Sequence, residues 1–328
     1  METKELILVT GVSSGVSNGV PVKSSLAAIL ATQGQLSSDP KVKADRLICI
    51  DYSSEAGRHI RLQGLVAESC TLIRMEPSVV HPANFFNSRS KQFGDTITVG
   101  GRPTSHSASV NWPLVYPAEA ERKLLQSAER TERTVLINGN KISFVDGELY
   151  SLRRMAIRAL ENLDLYGTEW DSTILNRLFI AARSFAHAVL NLKAPRVSGI
   201  AFWFQSYPLS KGPVRDKLKT MSKYKYALVI ENSAEYMSEK LMEALFAGCI
   251  PIYVGPDPQE YGIPSNLVIW SKPNIGSIRS SLENATTWDL RDFHSRLEVF
   301  LGSSETRDLW QFEKVYQKVL ELIQKGSK

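Results

Sequence analysis

Residues 224–255 read YKYALVIENSAEYMSEKLMEALFAGCIPIYVG. The runs 226–230 and 250–254 are continuously apolar, as strands are in parallel sheets covered on both faces. The first run ends on a polar loop, Glu231-Asn232-Ser233. Ser238 is placed to be a helix N-cap, the stripe Leu241, Ala244, Leu245 has helical spacing, and Gly248 stands where a C′ residue belongs. Pro251 is tolerated among the first residues of a strand but not in its middle. The stretch is therefore strand, loop, helix, strand, with Glu239 and Lys240 in the first helical turn. In an open α/β sheet, ligands lie beyond the carboxyl ends of the strands, and a helix N-terminus there attracts phosphate. The polar residues Glu231, Asn232, Tyr236, Glu239 and Lys240, within ten positions, read as a binding site in which the lysine holds a phosphate and a carboxylate holds a ribose diol.

Outward from this stretch the same alternation continues. Apolar runs at 6–10, 46–51, 71–75, 96–99, 134–137, 164–166 and 267–270 predict further strands with helices between them, hence α/β layers built on mostly parallel sheets. A chain of 328 residues is long enough for two domains, each with its own core. The polar stretch 118–133 is expected to bridge them, giving a first domain over 1–130, a second over 131–304 and a terminal helix over 305–328. That helix carries Leu309, Phe312, Val315, Val319 and Leu322 at three- and four-residue steps, and it is expected to return to the first domain. Residues 173–192 predict an amphipathic helix whose apolar face, Ile174, Leu178, Ala181 and Phe185, packs on the second domain.

Composition narrows the function. Hydrophobic content of 43% and charged content of 22% describe an ordinary globular protein. The net charge of +5 suits a nucleoside-diphosphate ligand or an anionic membrane surface, but it is diffuse: there is no run of five like charges and no basic patch interleaved with aromatics, which argues against nucleic acid. Cys49, Cys70 and Cys249 are odd in number and far apart, which argues against a disulfide framework and for a reducing compartment. The start of the sequence has no signal-peptide pattern and no long apolar span occurs, so a cytoplasmic enzyme is expected, with peripheral attachment to a membrane as a further expectation. The five histidines show no ligand spacing and no clustered Cys/His motif occurs, so no cofactor and no obligatory metal are expected.

Tyr224, Lys225, Glu231, Asn232, Ser233, Tyr236, Glu239, Lys240, Ala244, Leu245, Gly248, Pro251, Tyr253 and Gly255 fall, in order, on the hallmark Y-K-F-x-L-x-F-E-N-S, spacer, Y-V-T-E-K, x-A-L-x-A-G, P-V-Y-x-G. In this the chain resembles glycosyltransferase family 10, the α-1,3/1,4-fucosyltransferases that use GDP-fucose. Weaker similarity extends over roughly 70–320. Met75-Glu76-Pro77 through Asn84 and Asp95 looks like the family's acceptor-facing stretch, and residues 135–138 followed by Ser151-Leu152-Arg153 look like its first donor-domain strand and phosphate-contacting arginine. The spacer before Tyr236 is two residues shorter than in bacterial members, and 168–215 looks like an insertion.

The resemblance implies a GT-B fold, two Rossmann-like domains facing a central cleft, with a nucleotide-sugar donor and a glycan acceptor as partners. Inverting transfer needs a base for the acceptor proton and positive charge on the departing diphosphate. Glu76, at the end of an apolar strand, is the candidate base. Arg153 and Lys240 are assigned to the diphosphate, Glu239 to the ribose, and Asn232 and Tyr236 to the donor's sugar or phosphate side.

Two rival readings come from the same sequence. Thr10-Gly11-Val12-Ser13-Ser14-Gly15 after a strand, with Tyr236 and Lys240 as a Y-x-x-x-K pair, suggests a short-chain dehydrogenase binding NAD(P). Against it, Ser17 occupies the third glycine position and the pair comes late in the chain. The other rival is a non-catalytic carbohydrate-binding protein that keeps the fold without turnover.

Overall fold

The computed structural model describes residues 6–11, 16–17, 20–21, 35–37, 41, 43–104, 107–190, 200–207 and 209–325. Its contacts divide the chain into two compact units, Met1–Tyr116 with Arg307–Lys328, and Pro117–Thr306.

The first unit is built on a parallel sheet of β1 (Leu6–Gly11), β2 (Gln35–Ser37), β3 (Arg46–Ile50), β4 (Cys70–Arg74), β5 (Asp95–Val99) and β6 (Ala108–Val110), in the order β2-β1-β3-β4-β5-β6. All five residues of β3 are buried, as the sequence pattern demands of a strand covered on both faces. Leu47, Cys49 and Leu72 form one core cluster with Ala56 and Ile60 of helix α1 (Ser54–Gln63), which Ser53 caps by accepting from the Ala56 N–H at 3.1 Å. The short strands β2 and β6 are additions to the sequence reading. The C-terminal helix, Phe312–Lys325, buries Val315, Tyr316, Val319 and Ile323. Of the expected stripe Val315 and Val319 are buried and Phe312 and Leu322 half-buried, while Leu309 belongs to the preceding helix, Ser304–Trp310, and is exposed. Leu114 holds this region by backbone bonds to Trp310 and Phe312, at 2.8 and 2.9 Å.

The second unit has a parallel sheet of β7 (Thr131–Ile137), β8 (Leu163–Tyr166), β9 (Tyr224–Ile230), β10 (Ile250–Val254) and β11 (Ile269–Trp270), ordered β8-β7-β9-β10-β11. Both sheets are wound alike: the second strand lies outside the first, and the order then reverses. Such a reversal makes a crevice at the carboxyl ends of the two strands that flank it, here β7 and β9. Helices of this unit include α2 (Tyr150–Ala159), α3 (Ile174–Leu190), α4 (Lys217–Met221) and α5 (Lys240–Phe246).

Pro251 sits inside β10, between two neighbours, yet it breaks no ladder on the β11 side, where pairing begins only at Ile252. After α5, Gly248 (φ 73°) takes the left-handed position of a Schellman motif: its N–H donates to Leu245 O at 2.9 Å, and the Cys249 N–H to Ala244 O at 3.0 Å.

Helix α3 is where the sequence expected a helix, but it is rotated by about 60° from the expected orientation. Of the face expected to pack inward only Ala181 is buried, while Ile174, Leu178 and Phe185 are exposed. The inward face is Arg177, Ala181 and Ala188, against Trp203 and Phe144. Arg177 decides the rotation, because its guanidinium donates to the carbonyls of Trp203 (3.3 Å), Gln205 (2.5 Å) and Trp170 (2.9 Å), which no apolar residue could satisfy.

Candidate functional site

The carboxyl end of β9 opens into the loop that the sequence singled out. Glu231 is fully buried and continues the sheet by its N–H to Val254 O, at 2.9 Å. Its carboxylate accepts from the Ser238 N–H at 3.0 Å and from Ser238 Oγ at 2.7 Å. Lys240 Nζ donates to the same hydroxyl oxygen at 2.7 Å and lies 3.5 Å from Glu231 Oε2. This arrangement corrects the expected N-cap. Helix α5 begins at Lys240 with Glu239 as its N-cap residue, whose side chain makes no cap bond, and the Lys240 N–H reaches Ser238 Oγ only at 3.5 Å. The Ser238 hydroxyl instead joins a buried carboxylate to an ammonium, two charged partners that bind it more strongly than a backbone amide does.

Gly255 belongs to the same construction. A Cβ there would run into the Tyr253 phenol and come within 2.9 Å of Glu231 Cγ, so the backbone approach needs glycine. Burial, with the Glu231 carboxylate beside it, pushes the Tyr253 phenol well above its ordinary pKa and keeps it neutral.

Behind the loop lies a second layer of charge. Lys217, on α4, donates to Glu243 at 2.9 Å and stands 3.7 Å from Glu239, and Lys240 is likewise 3.7 Å from Glu239. Burial pushes the Glu239 carboxyl up, but Lys240 and Lys217 outweigh it and hold the group down at about 2. Burial dominates at Glu243, which is raised. Lys217 loses stability as an ion through burial and more than recovers it from Glu243 and Glu239, so it is raised. Beneath this layer, a cavity of about 20 Å³ is lined by Val135, Asn138, Val229, Lys217, Lys240 and Glu243. That is room for about one water, and it marks the β7/β9 reversal. Lys240 and Glu239 keep 16% and 17% of their side-chain surface, so ammonium and carboxylate together line the edge of the reversal.

Arg153, on α2, is buried to 2% exposure. Its Nε and Nη2 donate to Ile230 O (3.1 and 2.7 Å), Nη2 also donates to Asn232 Oδ1 (2.9 Å), and the guanidinium lies 4.9 Å over the Tyr150 ring. Burial lowers its pKa, against the pull of nearby Tyr150 and Glu231. It therefore ties the end of β9 to the Asn232 side chain from behind. The Asn232 carbonyl in turn accepts from the Leu149 N–H at 3.1 Å. Tyr236 is buried and bridges back to Ser233. The second unit thus brings Arg153, Asn232, Tyr236, Glu239 and Lys240 to the carboxyl end of β9, the middle strand of its sheet.

Glu76 lies in the first unit, two residues beyond β4 and half-buried. Its backbone is held by groups that the sequence reading assigned no role. Asp51, buried and at φ 54° just after β3, accepts through Oδ1 from the N–H groups of Met75 (2.8 Å) and Glu76 (3.0 Å) and from Asn84 Nδ2 (2.8 Å). Asn84 Nδ2 also donates to Glu76 O at 3.2 Å. Glu76 is gripped at both its N–H and its carbonyl, at the carboxyl end of the first sheet. Lys217 and Glu243 carry no role in the sequence reading, where Glu231 stands only as a member of the polar cluster and Ser238 only as an N-cap. Glu243 follows Glu239 by one helical turn, which is a readable signal; Lys217 gives none, because its partners lie 22 and 26 residues further on.

Among the described residues no group of three or more His, Cys, Asp or Glu could hold a metal ion. The three cysteines are unpaired and buried, and burial pushes each thiol up to about 11.

No family model matches the sequence, and no curated protein matches it. Solved structures do. An α1,3-fucosyltransferase superposes with TM-score 0.51 at 12% identity, over 99% of this chain and 91% of that one. The structure of an α1,3-fucosyltransferase with GDP-fucose gives 0.51 at 11%, over 99% and 90%. Sucrose-phosphate synthase of Thermosynechococcus elongatus gives 0.54 at 13%, over 93% and 77%. The fold is GT-B. Both Rossmann-like sheets take part, since these matches run over nearly the whole chain. The GT-B fold separates the parts of the dehydrogenase pattern: Thr10 and Gly11 close β1 of the first sheet, Tyr236 and Lys240 follow β9 of the second, and residues 12–15 lie outside those described.

Proposed function

We propose that this GT-B protein is an inverting glycosyltransferase that moves fucose, or a related sugar, from a GDP donor to a hydroxyl of a glycan. The observation that carries the reading is the Glu239–Lys240 pair at the β7/β9 reversal, a carboxylate held ionised beside an ammonium, in a fold whose structural neighbours include an α1,3-fucosyltransferase with GDP-fucose.

The second unit is the donor side. Lys240 meets the diphosphate, Glu239 accepts from the ribose hydroxyls, and Asn232 and Tyr236 flank the sugar. The three carboxylates Glu231, Glu239 and Glu243 balance Lys217, Lys240 and Arg153, so the resting cluster is neutral. An arriving diphosphate draws Lys240 away from Glu231, whose charge then rests on Ser238, while Arg153 adds positive charge from behind through Asn232. The first unit is the acceptor side. The Glu76 carboxylate takes the proton of the acceptor hydroxyl as its oxygen attacks the anomeric carbon from the face opposite the leaving group. The bond from that carbon to the diphosphate oxygen breaks, its electron pair departs on the diphosphate, and the configuration inverts.

A panel of GDP- and UDP-sugars, assayed for nucleotide release and for the anomer formed, tests the reading. Release of GDP with an inverted product supports it, and absence of turnover with every sugar would leave the non-catalytic binding protein as the better account.

A further inference from the structure

Helix α3 turns its large apolar side chains outward. Ile174, Leu175, Leu178, Phe179, Phe185 and Val189 are exposed, with Leu175 at 79% and Phe179 at 69%. At 3.6 residues per turn these positions, with the exposed Ala182 and Ala186 between them, fall on one continuous face next to Arg177, Ala181 and Ala188, which anchor the helix, and at its border Phe185 meets the Phe144 ring edge-on at 5.5 Å. Seventeen residues make a helix of about 25 Å, and no acid interrupts the face along that length. A contiguous exposed apolar patch of this size is uncommon on a protein that meets only water.

The charge around the helix says what covers it. From 172 to 215 the sequence has Arg177, Arg183, Lys193, Arg196, Lys211 and Arg215 and not one Asp or Glu; acids return only at Asp171 and Asp216. Of these basic residues Arg183 and Arg215 are exposed, Lys211 is exposed but paired with Asp164, and Arg177 is buried. An apolar helical face within a cationic, acid-free segment matches a surface that is greasy below and negative above. A second copy of this chain is a poorer match, because it would set cationic segments against each other.

We propose that α3 lies in the plane of an anionic phospholipid membrane, its apolar face sunk among the lipid chains and the neighbouring basic residues among the phosphates. It lies on the bilayer and does not cross it: among the described residues no helix is long and apolar enough to span one. This anchoring does not depend on the glycosyltransferase reading, since it rests on α3 and the charge of the segment that contains it.

Flotation of the full chain with vesicles tests the proposal without any substrate. Phosphatidylcholine vesicles containing phosphatidylglycerol are compared with vesicles of phosphatidylcholine alone, at low and high salt. The expected result is binding at least ~10-fold stronger to the anionic vesicles, weakened by salt, as about 1 kcal/mol per basic residue at a charged surface requires. The paired substitution Leu175→Asn with Phe179→Asn should lower it by at least ~10-fold, because both side chains leave the lipid. Both residues are exposed, so thermal unfolding and circular dichroism of the variant should match the parent. Equal weak binding to both vesicles, or undiminished binding by the folded variant, overturns the proposal. So does a dimer in light scattering that the substitutions dissociate while vesicle binding stays absent, because the face would then belong to a second copy.

Discussion

Lys240 reaches Glu231 through a hydroxyl: its Nζ donates to Ser238 Oγ at 2.7 Å, that hydroxyl donates to Glu231 at 2.7 Å, and the ammonium itself is 3.5 Å from the carboxylate. The buried carboxylate therefore keeps a hydrogen-bond donor even when the lysine turns to another anion. A direct ion pair would lack that reserve, and releasing the lysine would strand a buried charge.

Ser238→Ala removes both bonds to the hydroxyl and leaves Glu231 with the Ser238 N–H alone at full strength. The expected loss is about 1–3 kcal/mol, read from urea unfolding as a lower midpoint with an unchanged slope. A variant as stable as the parent would show that the hydroxyl bridge is idle.

Lys217→Met leaves Glu243 and Glu239 facing each other with less compensation. Lys217 is partly exposed and solvent screens the pair, so the expected cost is about 2 kcal/mol rather than the 3–5 of a fully buried one. Burial already raises Glu243, and losing the lysine raises it further. Below that raised pKa the carboxyl is neutral and misses the lysine little. The loss should thus be larger at pH 8 than at pH 5, and equal losses at both would contradict the pairing.

Asp164 offers a test of acid sensitivity away from the site. Burial pushes its carboxyl up, but hydrogen bonds from Arg133, Lys211 and Tyr224 prevail and hold it at about 2. The unfolded group titrates near ~3.9. Its stabilisation is therefore present in full above that value and disappears as the pH falls toward 2. Asp164→Asn should cost about 1–2 kcal/mol at pH 7, reduced by the exposure of both cations, and should flatten the fall in stability between pH 4 and pH 2 expected of the parent. An acid limb of the same steepness in both proteins would remove Asp164 from it.

Glu76→Gln keeps the shape of a residue whose backbone is held by Asp51 and Asn84. Turnover should fall by at least ~10²-fold while nucleotide affinity and unfolding midpoint stay as they were. Unchanged turnover would take Glu76 out of the chemistry.

The two sheets were legible because their strands are buried on both faces, so 250–254 could be read to the residue. The strand 224–230 begins earlier than its apolar run, since Tyr224 and Lys225 earn their places by partners, Asp164 and Glu132, that lie far away in sequence. β2 and β6 escaped because three residues with little apolar content give no period. At Ser238 local rules see only a cap, which survives as a long 3.5 Å contact from the Lys240 N–H, and only the fold brings Glu231 to the hydroxyl. The face of α3 is rotated from its expected position for a related reason. Apolar periodicity says that a helix has two sides but not which one the core takes, and Arg177 settled that through carbonyls from 170, 203 and 205. Asp51, which holds the Glu76 backbone in the first unit, and Lys217, which faces Glu239 and Glu243 in the second, act over sequence separations that no local pattern records.

Titration calorimetry of GDP, UDP and NADPH into the parent and Lys240→Ala tests the central claim most directly. GDP should bind the parent, and the folded variant should bind it at least ~10-fold more weakly, the worth of one charge-assisted hydrogen bond, with no NADPH binding by either. Equal GDP affinity in the two proteins, or NADPH binding without any nucleoside diphosphate, would contradict it.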